Sequence, residues 1–301
     1  MTIGGFAEDW RLSSVEVTPI EEDNPALCYI PDVPKTVENH KTVYSSGGSI
    51  TCDYRNGCYR LTKNLTWISF PSFKTNVDFS MNEINNTLFV IGSDGYNGSL
   101  LYINLENGTE WTRKYLPFRI WGHCSVVINN AEIMVIGGGY GKWDSISDIS
   151  DESRIFNIYT WNWRKGPTLK QKRAHHDCVV KDNTIYVVGG RDPRVRERET
   201  FLSSMETLDL KGNLEWKLEW KLSSVELPTG LIFHQVVASN SQDYIIYATG
   251  GRSWDGRGKG HKEIYGLNAT GQVWEQIGEL QKGRAYHTTI NVEFSETCKL
   301  L

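Results

Sequence analysis

The sequence contains no long apolar run. None of its 301 residues lies in a stretch that approaches the roughly eighteen consecutive apolar side chains of a membrane-spanning helix. The opening segment Met1–Phe6 has neither the basic nor the apolar region of a signal peptide. The sequence therefore predicts no membrane span and no leader at its start. Because a strand pattern begins so close to Met1, we expect the natural chain to extend upstream.

The chain also lacks a strong excess of either charge. The chain has 32 basic and 36 acidic residues, which leaves a formal net charge of −4. A general nucleic-acid binder needs a basic balance or a basic face, so we expect no nucleic-acid partner. Glycine is plentiful instead, at 28 residues, and aromatic residues make up 12%. This composition is typical of a globular chain with many turns.

The six cysteines show no metal-ligand spacing such as C-x-x-C. Cys52 and Cys58 flank a turn-like segment and would suit a hairpin disulfide. A two-residue turn at Asn56-Gly57 would instead pair Cys58 with Arg55. The sequence leaves this pairing open.

Five N-x-[ST] sequons bear on the compartment. Such motifs accept N-linked glycans in secreted proteins. They begin at Asn64, Asn85, Asn97, Asn107 and Asn268. They favour an extracellular, secreted glycoprotein, and chance sequons in a cytoplasmic protein are the alternative.

One unit of the sequence, residues 173–216, predicts four antiparallel strands. Two β-rich runs flank a turn at Asp182-Asn183, which is a hairpin pattern. A third strand is predicted to start at Met205 and a fourth at Leu214. Four antiparallel strands form one blade of a β-propeller.

The same order recurs with a period of roughly 40 to 60 residues, which indicates a radial array and not independent domains. A histidine precedes the first strand of five copies, and a double glycine ends the second strand of most; the copy at residues 77–115 lacks the histidine. The histidines are His40, His123, His176, His234 and His287, and the breaks in the second strand are Gly4-Gly5, Cys52-Asp53, Gly137-Gly138, Gly189-Gly190 and Gly250-Gly251.

These residues resemble the kelch motif, in which R-x-x-H, a double glycine and spaced aromatic residues ending in Trp follow one another. Residues 173–176 and 284–287 match the opening fully. The C-terminal copy supplies a first strand without partners, and the N-terminal residues supply later strands without a first. The resemblance therefore implies one domain over residues 1–301. Its fold would be an all-β, six-bladed kelch-type β-propeller with one blade closed by strands from both chain termini.

The resemblance also implies structural roles for the repeated residues. Each histidine would bond the backbone of its own blade, and the last tryptophan of each blade would pack between sheets. A channel ring of metal-binding imidazoles is the alternative, but zinc needs nitrogens about 2 Å from one centre. We predict no metal and no cofactor, and we expect Cys124 and Cys178 to be buried free thiols. The tryptophans are Trp67, Trp111, Trp163, Trp216 and Trp274.

Long loops between the second and third strands should project from one face of the propeller, where function usually lies. The loop 139–152 is acidic, whereas 191–201 and 252–262 are dominated by cations. Arg191 and Arg252 directly follow a double glycine near the channel mouth, where arginine suits bidentate carboxylate binding.

We predict a partner-binding site on this loop face, because aromatic residues beside arginines are typical interface anchors. Its residues would be Arg191, Arg194, Arg252, Trp254, Trp143, Trp121 and Phe233. They favour a non-catalytic, monomeric, extracellular module that binds a protein or peptide of acidic character.

Two other functions stay open. Propellers with kelch-like repeats include galactose-oxidase-type copper enzymes and sialic-acid mutarotases, so a carbohydrate-active enzyme is one alternative. It would need paired acid and base groups at the channel mouth, and Asp192 and Asp255 do not stand out from other loop carboxylates. A cytoplasmic ubiquitin-ligase substrate adaptor is the other, although the BTB-type helical region of such adaptors is missing from this sequence. We predict no catalytic residues.

Overall fold

In the computed structural model, six antiparallel sheets surround a central channel. The structure describes residues 1–7, 10–16, 30–37, 39–45, 48–53, 55–74, 76–94, 96–141, 145–192, 201–211, 218–253 and 260–292. Strands of a sheet are called a to d from the channel outward. The predicted six-bladed propeller is confirmed.

The strands follow one another in simple order. The chain enters with β1 (Thr2–Ala7) and β2 (Trp10–Glu16). Blade 1 contains β3 (Lys41–Ser45), β4 (Gly48–Asp53), β5 (Gly57–Leu61) and β6 (Trp67–Phe70). Blade 2 contains β7 (Asn76–Ile84), β8 (Thr87–Ser93), β9 (Gly98–Asn104) and β10 (Thr112–Leu116). Blade 3 contains β11 (Cys124–Asn129), β12 (Glu132–Ile136), β13 (Ser153–Asn157) and β14 (Trp163–Lys165), with a 3₁₀ turn at Ile146–Asp148.

The second half of the chain repeats this order. Blade 4 contains β15 (Asp177–Lys181), β16 (Thr184–Val188), β17 (Met205–Asp209) and β18 (Lys221–Leu222). Blade 5 contains β19 (Gln235–Ala238), β20 (Tyr244–Thr249), β21 (Glu263–Asn268) and β22 (Trp274–Glu279), and β23 (Thr288–Thr289) follows. None of the described residues forms a helix long and apolar enough to cross a membrane.

Blade 6 joins the two ends of the chain. Strand β1 pairs antiparallel with β2 on one side and with β23 on the other, where Thr2 lies opposite Thr289 and Ile3 opposite Thr288. The inner strand β23 also contacts the inner strands of blades 5 and 1. The ring is therefore closed by strands from both termini, as the sequence predicts, and no inner sheet edge is left open.

The hydrophobic core lies between adjacent blades. One cluster joins Met134 and Ile155 of blade 3 to Ile185 and Leu208 of blade 4, and all four are fully buried. These residues come from strands whose alternate side chains face the neighbouring sheet. Each blade thus depends on both neighbours for burial of its faces.

The outer strand described for blade 4 is β18 at Lys221–Leu222. The predicted strand start at Leu214 and the predicted core residue Trp216 lie outside the described residues. The blade's core tryptophan is Trp220, which is fully buried and donates from Nε1 to the Pro167 carbonyl of blade 3 at 3.1 Å.

This tryptophan contact recurs between other blades. Trp67 donates to the carbonyl of Pro31 at 2.8 Å, and Trp111 donates to that of Pro71 at 2.7 Å. In each case the indole N–H donates to the segment that leaves the preceding blade. The one donor of the side chain is then hydrogen-bonded, as a buried indole requires.

Cysteine pairing is where the structure departs most from the sequence. Cys52 and Cys58 form a disulfide across β4 and β5, with Cα atoms 4.1 Å apart. Of the two alternatives that the sequence leaves open, the hairpin disulfide is the one found, since Asp53 pairs with Gly57 and leaves a three-residue loop between them.

A second disulfide joins Cys124 of β11 to Cys178 of β15, so the expectation of free thiols is wrong. Cys124 directly follows the repeat histidine of blade 3, and Cys178 lies two residues after that of blade 4. Since inner strands of adjacent blades touch around the channel, these two positions meet, with Cα atoms 5.9 Å apart. Cys28 and Cys298 lie outside the described residues.

Candidate functional site

The loops between strands b and c share a face with the connections between blades. Short antiparallel bridges link the residue after the double glycine to the residue two before the histidine. The bridges are Trp121 with Gly139, Ala174 with Arg191, and Ile232 with Arg252. This pairing brings the predicted loop face to the rim of the channel.

A ring of backbone hydrogen bonds borders this channel mouth. The residue before each repeat histidine has φ between 49° and 59° in five blades, and four of those residues are not glycine. Their N–H groups bond the equivalent carbonyl of the preceding blade, as from Phe233 to His175 at 3.1 Å and from Tyr286 to Phe233 at 3.0 Å. Left-handed backbone costs about 1–2 kcal/mol per non-glycine residue. The inter-blade hydrogen bonds oppose that cost and hold these side chains at the mouth.

The mouth opens into a cleft that residues of all six blades line. The volume of this cleft is about 430 Å³ when it is counted out to the entrance, which is open to solvent. On one side, the Asp78 carboxylate accepts from the Asn39 amide at 2.9 Å and lies 3.8 Å from Nδ1 of His175. On the other side, the rings of Phe233 and Tyr286 stack with centroids 3.8 Å apart. His175 contacts Phe233 at 4.4 Å between centroids and links the two sides.

Lys41 is the cation of this cleft. It lies directly after His40, lines the cleft, and forms no ion pair with a carboxylate of the described residues. Asp177, on the inner strand of blade 4, is buried and accepts from the N–H of Val236 at 2.7 Å. Burial raises the pKa of Asp177, and the charge of Lys41 only partly opposes that shift. The cleft thus places an ammonium group that forms no ion pair with the described residues near the carboxylates of Asp78 and Asp177, which accept hydrogen bonds from neighbouring groups.

Four of the five repeat histidines bond the preceding blade and not their own, which corrects the prediction; they are His40, His123, His176 and His287. Nε2 of His176 lies 3.1 Å from the carbonyl of Ile136 in blade 3. His123 likewise lies 3.0 Å from the Ser80 hydroxyl of blade 2. The first glycine of each pair lies against this imidazole, since a Cβ on Gly137 would stand 2.8 Å from the His176 ring. The first glycine therefore leaves the space that the histidine of the next blade occupies.

Burial keeps these imidazoles neutral. Desolvation lowers the pKa of His40 and His234 to about 3 and that of His123 to about 4. The nearby charge of Lys41 contributes to the lowered pKa of all three histidines, after burial as the main cause. Among the described residues, no group of three or more histidine, cysteine or acidic side chains is spaced to hold a metal ion.

The structure brings several predicted site residues together at the rim. The guanidinium of Arg191 lies over the Trp121 ring at 5.8 Å, and that ring lies 5.5 Å from the ring of His175. Trp121 is 2% exposed, so it supports Arg191 from below. Arg252 is half-buried on the next blade, and Phe233 is half-buried at the mouth.

Three of the predicted site residues lie outside the described ranges; they are Arg194, Trp143 and Trp254. The sequence prediction also missed four residues that line the cleft. Three of the missed residues, Lys41, His175 and Tyr286, lie directly before or after a repeat histidine, so the repeat register itself could have found them. The fourth, Asp78, lies on the inner strand of blade 2, whose copy lacks that histidine.

Comparison with known proteins agrees with this architecture. The kelch motif model matches residues 172–217. The chain is 28% identical over 132 residues to Kelch-like protein 40a of Danio rerio, which covers 44% of this chain and 20% of that protein. It is 27% identical over 158 residues to an F-box/kelch-repeat protein of Arabidopsis thaliana, which covers 48% of this chain and 42% of that protein. The chain thus spans less than half the length of these curated relatives.

Among solved structures, the fold is similar to that of YjhT. The two share a TM-score of 0.72 at 17% identity, over 90% of this chain and 94% of that one. At this identity the likeness concerns the fold alone. The motif match, the curated relatives and the repeat register identify the chain as a kelch-repeat protein, and the six sheets show that it folds as a six-bladed β-propeller.

Proposed function

We propose that this propeller is a non-catalytic interaction module whose channel mouth binds an acidic segment of a protein partner. The observation that carries the proposal is Lys41, a cation in the cleft that has no ion pair with the described residues. An ammonium ion in a partly desolvated cleft attracts a carboxylate more strongly than one on the open surface does.

The carboxylates near Lys41 are held by hydrogen bonds within the protein, and two further cations lie on the rim. The carboxylate of Asp78 is held by Asn39, and that of Asp177 is held by the Val236 N–H. Arg191, on the rim, adds a guanidinium suited to bidentate carboxylate binding, and Arg252 adds another on the next blade.

The aromatic stack supplies the apolar part of the surface. Phe233 and Tyr286 are both half-buried and stack at 22° between ring planes. Their left-handed backbone and inter-blade hydrogen bonds fix the rings before a partner arrives. Rigid aromatic side chains beside cations are the usual anchors of protein interfaces.

Fluorescence anisotropy with a labelled glutamate-rich peptide tests this function, and the glutamine version of the peptide is the ligand control. We expect Lys41→Met to weaken binding about tenfold, which corresponds to about 1.4 kcal/mol. Lys221→Met is the matched control, because it removes the same charge from an exposed position on the outer strand β18. Equal binding of the two peptides, or equal effects of the two variants, would contradict the proposal.

We also propose that the module is secreted and acts as a monomer. The two disulfides of the described residues support secretion, because disulfides persist mainly in oxidising compartments. Immunoprecipitation from culture medium and from cell lysate, followed by light scattering of the purified protein, tests both statements. Recovery from the cytoplasm alone would favour the cytoplasmic alternative.

A carbohydrate-active enzyme is the second candidate function. Asp78 and His175 in the cleft form the kind of acid and base pair that sugar isomerisation needs. A sugar-array screen followed by NMR of any bound sugar, with Asp78→Asn as the variant, separates the two functions. Turnover that Asp78→Asn abolishes would favour the enzyme.

A further inference from the structure

The five sequons are unevenly placed on the two faces of the propeller. Because consecutive strands are antiparallel, the a–b and c–d turns lie on one face, and the b–c loops lie on the other face with the channel mouth. Only the sequon at Asn97 lies in a b–c loop, between β8 and β9. The other four, at Asn64, Asn85, Asn107 and Asn268, lie on the face opposite the mouth.

Two of these four expose both the asparagine and the threonine that define the sequon. Asn64 and Thr66 are exposed in the turn between β5 and β6. Asn107 and Thr109 are exposed in the turn between β9 and β10. No hydrogen bond from a described residue reaches the side-chain amide of either asparagine. Both side chains therefore project into solvent, where a bulky substituent meets no neighbour.

In each of the remaining three sequons, a defining residue is buried or hydrogen-bonded within the protein. The Asn85 amide donates to the Asn130 carbonyl at 3.0 Å and to the Tyr159 hydroxyl at 2.8 Å, and a glycan there would replace one of the two N–H donors that these contacts use. Ser99, the third residue of the Asn97 sequon, is fully buried. Asn268 is half-buried, and its carbonyl oxygen accepts the N–H of Gln272 at 3.0 Å within its own turn.

We propose that Asn64 and Asn107 are N-glycosylation sites, on corresponding turns of the adjacent blades 1 and 2. This inference rests on the proposed secretion and is independent of partner binding. Nδ2 of each asparagine would form a bond to the anomeric carbon of a lipid-linked oligosaccharide diphosphate. The bond from that carbon to the diphosphate breaks, and the proton lost from Nδ2 balances the charge of the leaving lipid diphosphate. Both glycans then cover the face opposite the mouth and leave the mouth open for a partner.

Site occupancy can be measured on the protein isolated from the cells that make it. Enzymatic deglycosylation in heavy-oxygen water converts each occupied asparagine to labelled aspartate, which peptide mass spectrometry locates. We expect label at Asn64 and Asn107 and none at Asn85. Unlabelled Asn64 and Asn107, or a labelled Asn85, would overturn the proposal.

Variants give an independent readout in intact mass. Asn64→Gln and Asn107→Gln should each remove the mass of one glycan, whereas Asn85→Gln, the matched control, should remove none. The first two variants should change the affinity for the glutamate-rich peptide less than twofold, because their side chains lie on the other face. If the protein carries both glycans but does not bind the peptide, only the proposed binding function is wrong. If it binds the peptide but carries no glycans, only this inference is wrong.

Discussion

Arg173 and Glu206 form a fully buried ion pair, with guanidinium nitrogen and carboxylate oxygen 2.8 Å apart and both side chains 0% exposed. Arg173 also donates to the carbonyl of Gly189 at 2.7 Å, and Glu206 accepts the N–H groups of Lys170 and Gln171. The arginine of the R-x-x-H motif thus ties the entry of blade 4 to its strands b and c.

The same pair recurs in blade 6, where it joins the two ends of the chain. Arg284 lies 2.9 Å from the Glu16 carboxylate and donates to the carbonyl of Gly4 at 3.0 Å. Glu16 occupies the same register on strand c as Glu206, since Glu16 pairs with Thr2 and Glu206 with Val187. The ring closure is therefore secured by a buried charge pair as well as by β-sheet hydrogen bonds.

Breaking one of these pairs should destabilise the protein strongly. Glu206→Gln leaves the Arg173 charge buried without a counter-ion, and we expect it to cost about 3–5 kcal/mol of unfolding free energy. Glu132→Gln is the control, because its partner Arg164 is 45% exposed and such surface pairs are worth less than about 1 kcal/mol. Urea denaturation measures both. Equal losses would show that burial does not set the strength of the pair.

The two disulfides should differ in their contribution to stability. Cys124 and Cys178 are 54 residues apart in sequence, whereas Cys52 and Cys58 are six apart. Loop-closure entropy predicts about 4 kcal/mol for the first and about 2 kcal/mol for the second. Thermal unfolding of the two double-alanine variants should therefore show the larger decrease for Cys124→Ala with Cys178→Ala. The reverse order would contradict the entropic explanation.

The first glycine of a pair should tolerate alanine poorly. Gly250 has φ +57°, and an added Cβ would lie 2.6 Å from both the Arg284 carbonyl and the His287 ring. Gly271 has a similar φ of +68°, but its Cβ would meet only Ile245 at 3.6 Å. We expect Gly250→Ala to cost about 1–3 kcal/mol more than Gly271→Ala in urea denaturation, because only the former is also overpacked. Equal costs would assign the whole effect to backbone strain.

Acid should destabilise the propeller through its buried histidines. In the unfolded chain a histidine titrates near pH ~6.5, whereas burial lowers the folded pKa of His40 to about 3 and of His123 to about 4. The unfolded chain therefore binds more protons below about pH 6.5, so stability falls from there towards about pH 4 and is constant above. Each such histidine should remove about 1.4 kcal/mol per pH unit in this window.

Urea denaturation at pH 7, 6 and 5 measures this slope, and His123→Gln should reduce it. Asp94→Asn is the control. Partial burial raises the pKa of Asp94, but the N–H groups of Asn97 and Tyr96 outweigh that effect and hold the pKa below its ordinary value. Asp94 thus stays ionised between pH 7 and 5, and its variant should leave the slope unchanged. A slope that His123→Gln does not alter would assign acid sensitivity to other groups.

The aromatic stack should matter for binding and not for folding. Phe233→Ala removes one ring of the platform at the mouth, and we expect it to weaken binding of the glutamate-rich peptide about tenfold. Tyr115→Ala, at a 66% exposed position on the outer strand β10, should leave binding unchanged. Anisotropy titration measures both, and a circular dichroism melt confirms that each variant is folded. An unchanged affinity in Phe233→Ala would remove the stack from the binding surface.

Local sequence signals predicted the blades well, but they left the outer edge of blade 4 ambiguous. Residues 214–217 and 218–221 have the same sequence, Leu-Glu-Trp-Lys, so the pattern alone favours Trp216 and Trp220 equally. Trp216 lies outside the described residues, whereas the indole of Trp220 reaches the Pro167 carbonyl of the preceding blade. That contact joins segments more than fifty residues apart in the chain, so no local pattern predicts it.

The sequence by itself determined the number of blades, the order of the strands and the closure of the ring by both termini, because each depends on a motif that recurs in register. Only the tertiary structure decided which blade each histidine bonds, which cysteines pair, and that Lys41, Asp78, Phe233 and Tyr286 share one cleft. These contacts cross between blades, so the circular arrangement of distant segments creates them, and no local pattern records which neighbour a side chain meets.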